Sequence, residues 1–320
     1  MESEADEVLF DGEAPVNFRV YKSGRVDPFH QPVLMPPSVH DASGVASKDV
    51  VIDAGTGLSV RLFLPKLQEP SPSAKKLPVL VYFHGGAFII ETAKSDIYHN
   101  YVASLAAAAG VLAVSVDYRL APEHPVPAAY DDCWAALRWA ASARDGWLAE
   151  HGDASRFFIA GDSAGGNIVH NLLVRASSDS EAAGTRIEGA VLLHPYFVGS
   201  TAVEGELEWV LSITTRLWAF ACPGAAGGAD GRWINPTAPG AAAGALERLG
   251  CERVLVCTAE TDWLAARGRA YYEAVARSAW PGSSAWLESE GEGHVFFLVK
   301  HESEKAKQLM DRVVAFIAGA

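Results

Sequence analysis

The stretch FFIAGDSAGGNIVHNLLVRA, residues 157–176, changes periodicity within six residues. Phe157–Ala160 reads as the end of a buried strand, and GNIVHNLLVRA reads as a helix. Between them, Gly161-Asp162-Ser163-Ala164-Gly165 matches G-x-S-x-G and puts a serine on the corner between strand and helix. The pattern alone is common, but the strand before it and the helix after it make it informative. Glycines on both sides remove the Cβ atoms that would clash in a sharp elbow. The corner also sets Ser163 near a helix N-terminus, where backbone N–H groups favour a developing negative charge. A plain tight turn is one reading, and a nucleophile held where a substrate can reach it is the other.

Working outward, short apolar runs alternate with helical patterns. The runs are VLVYF (79–83), VLAVSV (111–116), FFIA (157–160), GAVLLH (189–194) and RVLVCT (253–258). They lack alternation, as expected for parallel strands covered on both faces. Helical stretches are predicted at 96–109, about 127–142, 164–176, 263–279 and 302–318. This alternation predicts a mostly parallel, doubly wound α/β sheet. Residues 1–50 and 197–245 break the pattern and are read as peripheral additions, with 66–76 a surface loop. A long surface excursion is the plainer reading of 197–245. Residues 1–30 are too polar to be expected in the sheet core, yet Val8, Leu9, Phe10, Val16, Phe18, Val20, Tyr21 and Phe29 suffice to dock on something.

Composition narrows the classes of function. A net charge of −13 and a pI of about 5.2 argue against nucleic-acid or anionic-membrane partners. No apolar run reaches membrane-spanning length, and the acidic start MESEADEVLF does not read as a secretory signal. Cys133, Cys222, Cys251 and Cys257 have no C-x-x-C spacing and read as reduced core residues of a cytoplasmic protein. The ten histidines show no metal-ligand spacing, so neither a metal nor a cofactor is expected.

A serine hydroxyl needs a base, and on a strand–elbow–helix scaffold the partners follow in the order Ser, Asp or Glu, His. Eight of the ten histidines precede residue 200, leaving His294 and His301. His301 opens the last helix and reads as solvated, whereas His294 sits in the glycine-flanked loop after the strand-like AWLES. His294 is the favoured base. Asp262, just after RVLVCT, is the favoured acid, with Glu260 and Asp162 as rivals, and it can also cap the helix that follows. His84-Gly85-Gly86-Ala87 ends another strand, where glycine N–H groups can approach a substrate oxygen. Together with Ala164 they would form an oxyanion hole.

With these residues in view, the chain resembles the plant carboxylesterases related to hormone-sensitive lipase. The resemblance is carried by HGGAF (84–88), DYRLAPEHPVPAAYDDCWAALRW (117–139), GDSAGGNIVHN (161–171), AETDWL (259–264) and EGEGHVFF (290–297), and covers about residues 8–318. It implies one α/β-hydrolase domain over 1–320, with a cap made from approximately 1–50 and 197–245. It also implies Ser163 as nucleophile, Asp262 as acid, His294 as base, and Gly85, Gly86 and Ala164 as oxyanion donors. Ala87 departs from the third glycine of many relatives but keeps its N–H, so it can itself donate. Asp117, Tyr118 and Arg119 match a family signature and are read as structural. Trp209, Leu217, Trp218 and Phe220 in the cap suggest a small lipophilic ester as substrate, with simple packing as the plainer reading of the same residues. Two alternatives come with the family. One is a lyase of the 2-hydroxyisoflavanone dehydratase kind, which Ser163 does not exclude. The other is a binding module like the gibberellin receptor, which His294 disfavours because that receptor lacks the base histidine.

Overall fold

Residues 6–12, 18–29, 31–39, 44–67, 75–178, 186–240 and 244–319 are described in a computed structural model. A small antiparallel sheet comes first: β1 (Val8–Gly12), β2 (Phe18–Tyr21) and β3 (Val26–Pro28). The main sheet contains β4 (Ala46–Asp53), β5 (Leu58–Leu64), β6 (Leu77–Phe83), β7 (Leu112–Asp117), β8 (Gly152–Asp162), β9 (Ile187–Leu193), β10 (Cys251–Ala259) and β11 (Ser283–Ser289). Its eight strands lie in the order β11-β10-β9-β8-β6-β7-β5-β4. The strands from β11 across to β7 run parallel, while β5 and β4 are antiparallel at one edge. The helices are α1 (Asp96–Ala109), α2 (Ala128–Ala141), α3 (Gly146–His151), α4 (Ala164–Ser178), α5 (Glu208–Ala221), α6 (Ala265–Arg277), α7 (Phe296–Val299) and α8 (Glu304–Ala318).

The sheet is covered on both faces, which is why its central strands carry continuous apolar runs. Along β6, Val79, Val81 and Phe83 pack into the layer that contains α2, α4 and α6. Leu80 and Tyr82 point the other way, towards α1 and α8. The five expected strands and five expected helices are present, with ends displaced by a few residues.

The antiparallel pair β4–β5 is absent from the sequence reading, and the expected boundary at residue 50 falls inside β4. Its signal is the turn Asp53-Ala54-Gly55-Thr56-Gly57. The Asp53 carboxylate accepts from Gly55 N–H and Thr56 Oγ there, which closes the hairpin. The N-terminal segment also differs from expectation. Phe18 and Val20 are only 1% exposed and belong to the large apolar cluster on the α4 face of the sheet. Their burial means the segment contributes to the core. Val16 lies outside the described residues.

Candidate active site

The elbow comes first, because the backbone around Ser163 is set by close packing. A Cβ on Gly165 would lie 1.9 Å from the Phe83 carbonyl oxygen, and one on Gly161 would lie 2.5 Å from Gly165. Only glycine fits at either position. Ser163 itself takes a left-handed φ of +51°, which costs an L-residue about 1–2 kcal/mol. The surroundings hold it there: Ser163 N–H donates to Leu193 O, and Ser163 O accepts from Tyr196 and Asn167 N–H.

The loops after β10 and β11 bring up the other two side chains. Thr261 N–H and Oγ both donate to Glu292 O, and Gly291 N–H donates to a Glu260 carboxylate oxygen. Glu260 therefore ties the two loops together and is exposed. Above this tie, His294 Nδ1 lies 3.0 Å from both Asp262 carboxylate oxygens, and His294 Nε2 lies 3.0 Å from Ser163 Oγ. Asp262 Oδ1 also accepts Leu264 N–H at 2.8 Å, so it caps the turn entering α6 as well as facing the imidazole. Burial works to raise the Asp262 pKa, but His294 and His194 beside it pull it well below the usual carboxylate range. The other rivals lie elsewhere: His301 is exposed beside Glu302, and Asp162 faces away, accepting from Tyr82 and Tyr98 hydroxyls. Burial lifts Asp162 to about 6 despite these two donors.

Of the three N–H groups expected to hold an oxyanion, that of Gly85 is engaged elsewhere. Gly85 N–H is committed to Tyr98 Oη at 2.9 Å, and Tyr98 donates onward to Asp162. Gly85 anchors the loop and is not free to donate to a substrate. The sequence could not show this, because the acceptor comes from α1, thirteen residues on. Gly86 and Ala87 line the same cavity as Ser163, and no acceptor among the described residues takes their N–H groups. Ala164 opens α4, where the first N–H groups have no helical partner. Gly86 has φ +99°, and a Cβ there would lie 2.1 Å from Ile90 O. Tyr118 stacks on His84 at 4.2 Å and donates to His84 O, and Arg119 makes a forked pair with Asp132. Asp117, with Thr92 and Lys94 on its carboxylate, completes a bracing set around the loop.

The cavity over Ser163 measures about 440 Å³. Phe18, Pro32, Val33, Ile90, Ile97, Leu217, Trp263 and Leu298 form its apolar wall, and Glu91 and Asp96 its acidic one. No lysine or arginine lines it among the described residues. Of the four cap side chains expected there, only Leu217 lines it. Trp218 is buried with its Nε1–H on Gly228 O, Phe220 packs against the core, and Trp209 is 50% exposed. A second cavity of about 540 Å³ opens beside Arg175, Arg232 and Trp233, and shares none of the residues named above.

One residue escaped the sequence reading. His194, at the end of β9, is buried with its Nδ1 3.1 Å from Asp262 Oδ2. Ligand-type atoms of His194, Asp262 and His294 thus lie within 4.8 Å of one another, a closeness that spacing along the chain did not reveal. The signal that could have found His194 is its place at the carboxyl end of a parallel strand, where α/β folds gather their sites.

A family model for the alpha/beta hydrolase fold matches residues 80–298, the span that holds the elbow, the acid loop and the base loop. The chain belongs to the α/β-hydrolase fold family. Within it, the chain is one of the plant carboxylesterases related to hormone-sensitive lipase. Tuliposide A-converting enzyme b3, amyloplastic, of Tulipa gesneriana is 46% identical over 305 residues, covering 94% of this chain and 78% of the relative. 2-Hydroxyisoflavanone dehydratase of Glycyrrhiza echinata is 43% identical over 322 residues, covering 96% of each chain. Probable carboxylesterase 13 of Arabidopsis thaliana is 41% identical over 315 residues, covering 94% of this chain and 95% of the relative. This α/β-hydrolase is an enzyme with carboxylesterases among its homologues. Among its described residues no helix is long and apolar enough to cross a membrane.

Proposed function

We propose that this protein is a serine carboxylesterase acting on small, uncharged, lipophilic esters. The observation that carries the reading is the continuous run Ser163 Oγ–His294 Nε2 and His294 Nδ1–Asp262, each step 3.0 Å, at the wall of an apolar cavity. As Ser163 Oγ adds to the ester carbonyl carbon, its proton passes to His294 Nε2, and Asp262 stabilises the imidazolium. The carbonyl oxygen takes the negative charge and is held by the N–H groups of Gly86, Ala87 and Ala164, each donor worth about 3–4 kcal/mol. His294 then protonates the departing alcohol, and a water deprotonated by His294 releases the acid from Ser163. The absence of lysine and arginine from the described cavity wall, and the acids Glu91 and Asp96 on it, disfavour anionic esters. Four unpaired cysteines fit a reducing compartment such as the cytoplasm.

The base must be neutral to accept the serine proton, so kcat/KM is expected to rise with pH through a one-proton limb. Burial lifts Asp162 to about 6, which makes this carboxyl the rival source of such a limb. Temperature separates the two. Imidazole ionisation is strongly endothermic, so a histidine limb moves to lower pH on warming, whereas a carboxyl limb stays. A stationary limb, or a flat profile between pH 5 and 8 with chemistry limiting, would remove the histidine base from the reading.

We place a cap over Ser163, formed from the N-terminal segment and the 197–245 region. Phe18 and Leu217, one from each, line the cavity. Phe18→Leu is then expected to leave a folded protein with some loss of stability from the space it vacates, while weakening discrimination between short and long acyl esters. KM should rise more than kcat falls, because ground-state contacts are lost. An unchanged chain-length preference in the folded variant would remove Phe18 from the specificity wall.

A second reading, elimination of water, is favoured by the 43% identity to the dehydratase along nearly the whole of both chains. A screen of aryl and alkyl esters, run beside a hydroxyisoflavanone dehydration assay, tests one reading against the other.

A further inference from the structure

We propose that His194 is a positioning residue for the acid of the triad, donating its Nδ1–H to Asp262 so that the carboxylate is held between two imidazoles. The inference rests on the esterase reading above for its kinetic consequences, but not for its geometry.

His194 is built into its place at some cost. It sits immediately after β9, is 1% exposed, and has a left-handed φ of +48°. Its backbone N–H donates to Cys257 O on the neighbouring strand, which fixes where the ring starts. Phe296 and Phe297 flank the ring at 5.9 and 5.5 Å between centroids. The Nδ1 atom lies 3.1 Å from Asp262 Oδ2 and 3.0 Å from Val295 N, and the Nε2 atom is buried with no partner.

One proton must be assigned. With the proton on Nε2, Nδ1 accepts Val295 N–H, but its lone pair then faces a carboxylate oxygen at 3.1 Å, and Nε2–H is buried without an acceptor. With the proton on Nδ1, the ring makes a charge-assisted bond to Asp262, but Val295 N–H, aimed at Nδ1 from 3.0 Å, meets a second donor and is left over. Each arrangement leaves one N–H unpaired and one repulsive contact, so the full charge on the carboxylate decides. A hydrogen bond to an ionised acceptor is roughly twice as strong as a neutral one, and a lone pair against the same oxygen repels. Protonation of both nitrogens is opposed by burial, which pushes the His194 pKa down more than Asp262 lifts it.

The arrangement gives Asp262 two donors at Oδ2, from His294 and His194, and two at Oδ1, from His294 and Leu264 N–H. Four contacts from three directions hold the carboxylate plane against the base. A donor on Oδ2 also draws charge from the carboxylate, so the imidazolium of His294 is stabilised less than it would be by a carboxylate facing His294 alone. The titratable groups that touch this pair are His194 and Ser163, while Asp162, at the end of β8, is turned towards Tyr82 and Tyr98 but lies within electrostatic reach of His294.

The test compares His194→Leu, which removes the donor, with His194→Asn. An asparagine amide can reach the place of Nδ1, and asparagine tolerates a left-handed φ. In His194→Leu the acid limb of kcat/KM is expected to move up by about 0.5–1 pH unit. Its plateau kcat should fall about tenfold, with KM within twofold, as expected for loss of triad alignment. His194→Asn should keep both limb and kcat near the parent values. A folded His194→Leu protein with an unmoved limb, or a His194→Asn protein as impaired as His194→Leu, overturns the proposal. Should His194→Leu fail to fold, ¹⁵N-histidine spectra of the unmodified protein decide, with the His194 signals assigned by their loss in His194→Asn. A proton on Nδ1 supports the proposal and a proton on Nε2 ends it. That spectrum does not depend on turnover, so failure of the esterase reading leaves it interpretable.

Discussion

Ser163→Ala is expected to lower kcat/KM for an activated ester by about 10⁴–10⁶-fold while leaving the fold and melting temperature essentially unchanged. The stability half of the expectation follows from the elbow. Alanine at φ +51° bears the same backbone cost as serine, the flanking contacts of Gly161 and Gly165 are untouched, and Oγ has His294 as its hydrogen-bond partner. The activity half follows from the absence of another hydroxyl within reach of His294 Nε2 among the described residues. An organophosphate should add once per chain, on the peptide containing Ser163, and Ser163→Ala should take up none. Substantial turnover by the folded Ser163→Ala protein, or an adduct on a different peptide, would sink the assignment.

The second large effect separates two acids only two residues apart. Asp262→Asn is expected to cost roughly 10⁴-fold in kcat, because an amide facing His294 Nδ1 favours the tautomer with its proton on the wrong nitrogen. The asparagine carbonyl can still cap Leu264 N–H, so α6 keeps its entry turn. Glu260→Gln, by contrast, is expected to stay within about threefold of the parent. Its glutamine carbonyl can accept Gly291 N–H as the carboxylate does, and the residue is exposed. Circular dichroism and denaturant titration on both proteins exclude unfolding as the cause. If Glu260→Gln proves the crippling change, the acid has been misassigned.

How much of this was legible differs by residue, for physical reasons. The elbow was legible because its determinants are local. A strand, a corner with glycines on both sides and a helix follow one another within twenty residues, and the close approach to Phe83 demands glycine whatever surrounds it. Asp262 and His294 were reachable by order along the chain, since parallel strands return each loop to the same edge of the sheet. The β4–β5 pair is weakly marked in the sequence because β4 carries no continuous apolar run and begins at the end of a polar, proline-dotted segment. The alternating burial of β4 is the signature of an edge strand with one face in solvent.

The sequence by itself determined the class of fold, the corner that holds Ser163, and the short list from which its neighbours come. These depend on contacts between residues near in the chain and on a periodicity set by burial on two faces. Only the tertiary structure decided which N–H groups near Ser163 are free, which cap side chains reach the cavity, and that Asp262 has a second imidazole. Gly85 is taken by Tyr98 from α1, Trp218 turns inward while Leu217 faces the cavity, and His194 meets Asp262 across sixty-eight residues. Each of these turns on a hydrogen bond or a contact of a few ångströms between segments whose relative placement the packing of the whole sheet sets. Local pattern carries no record of such distances.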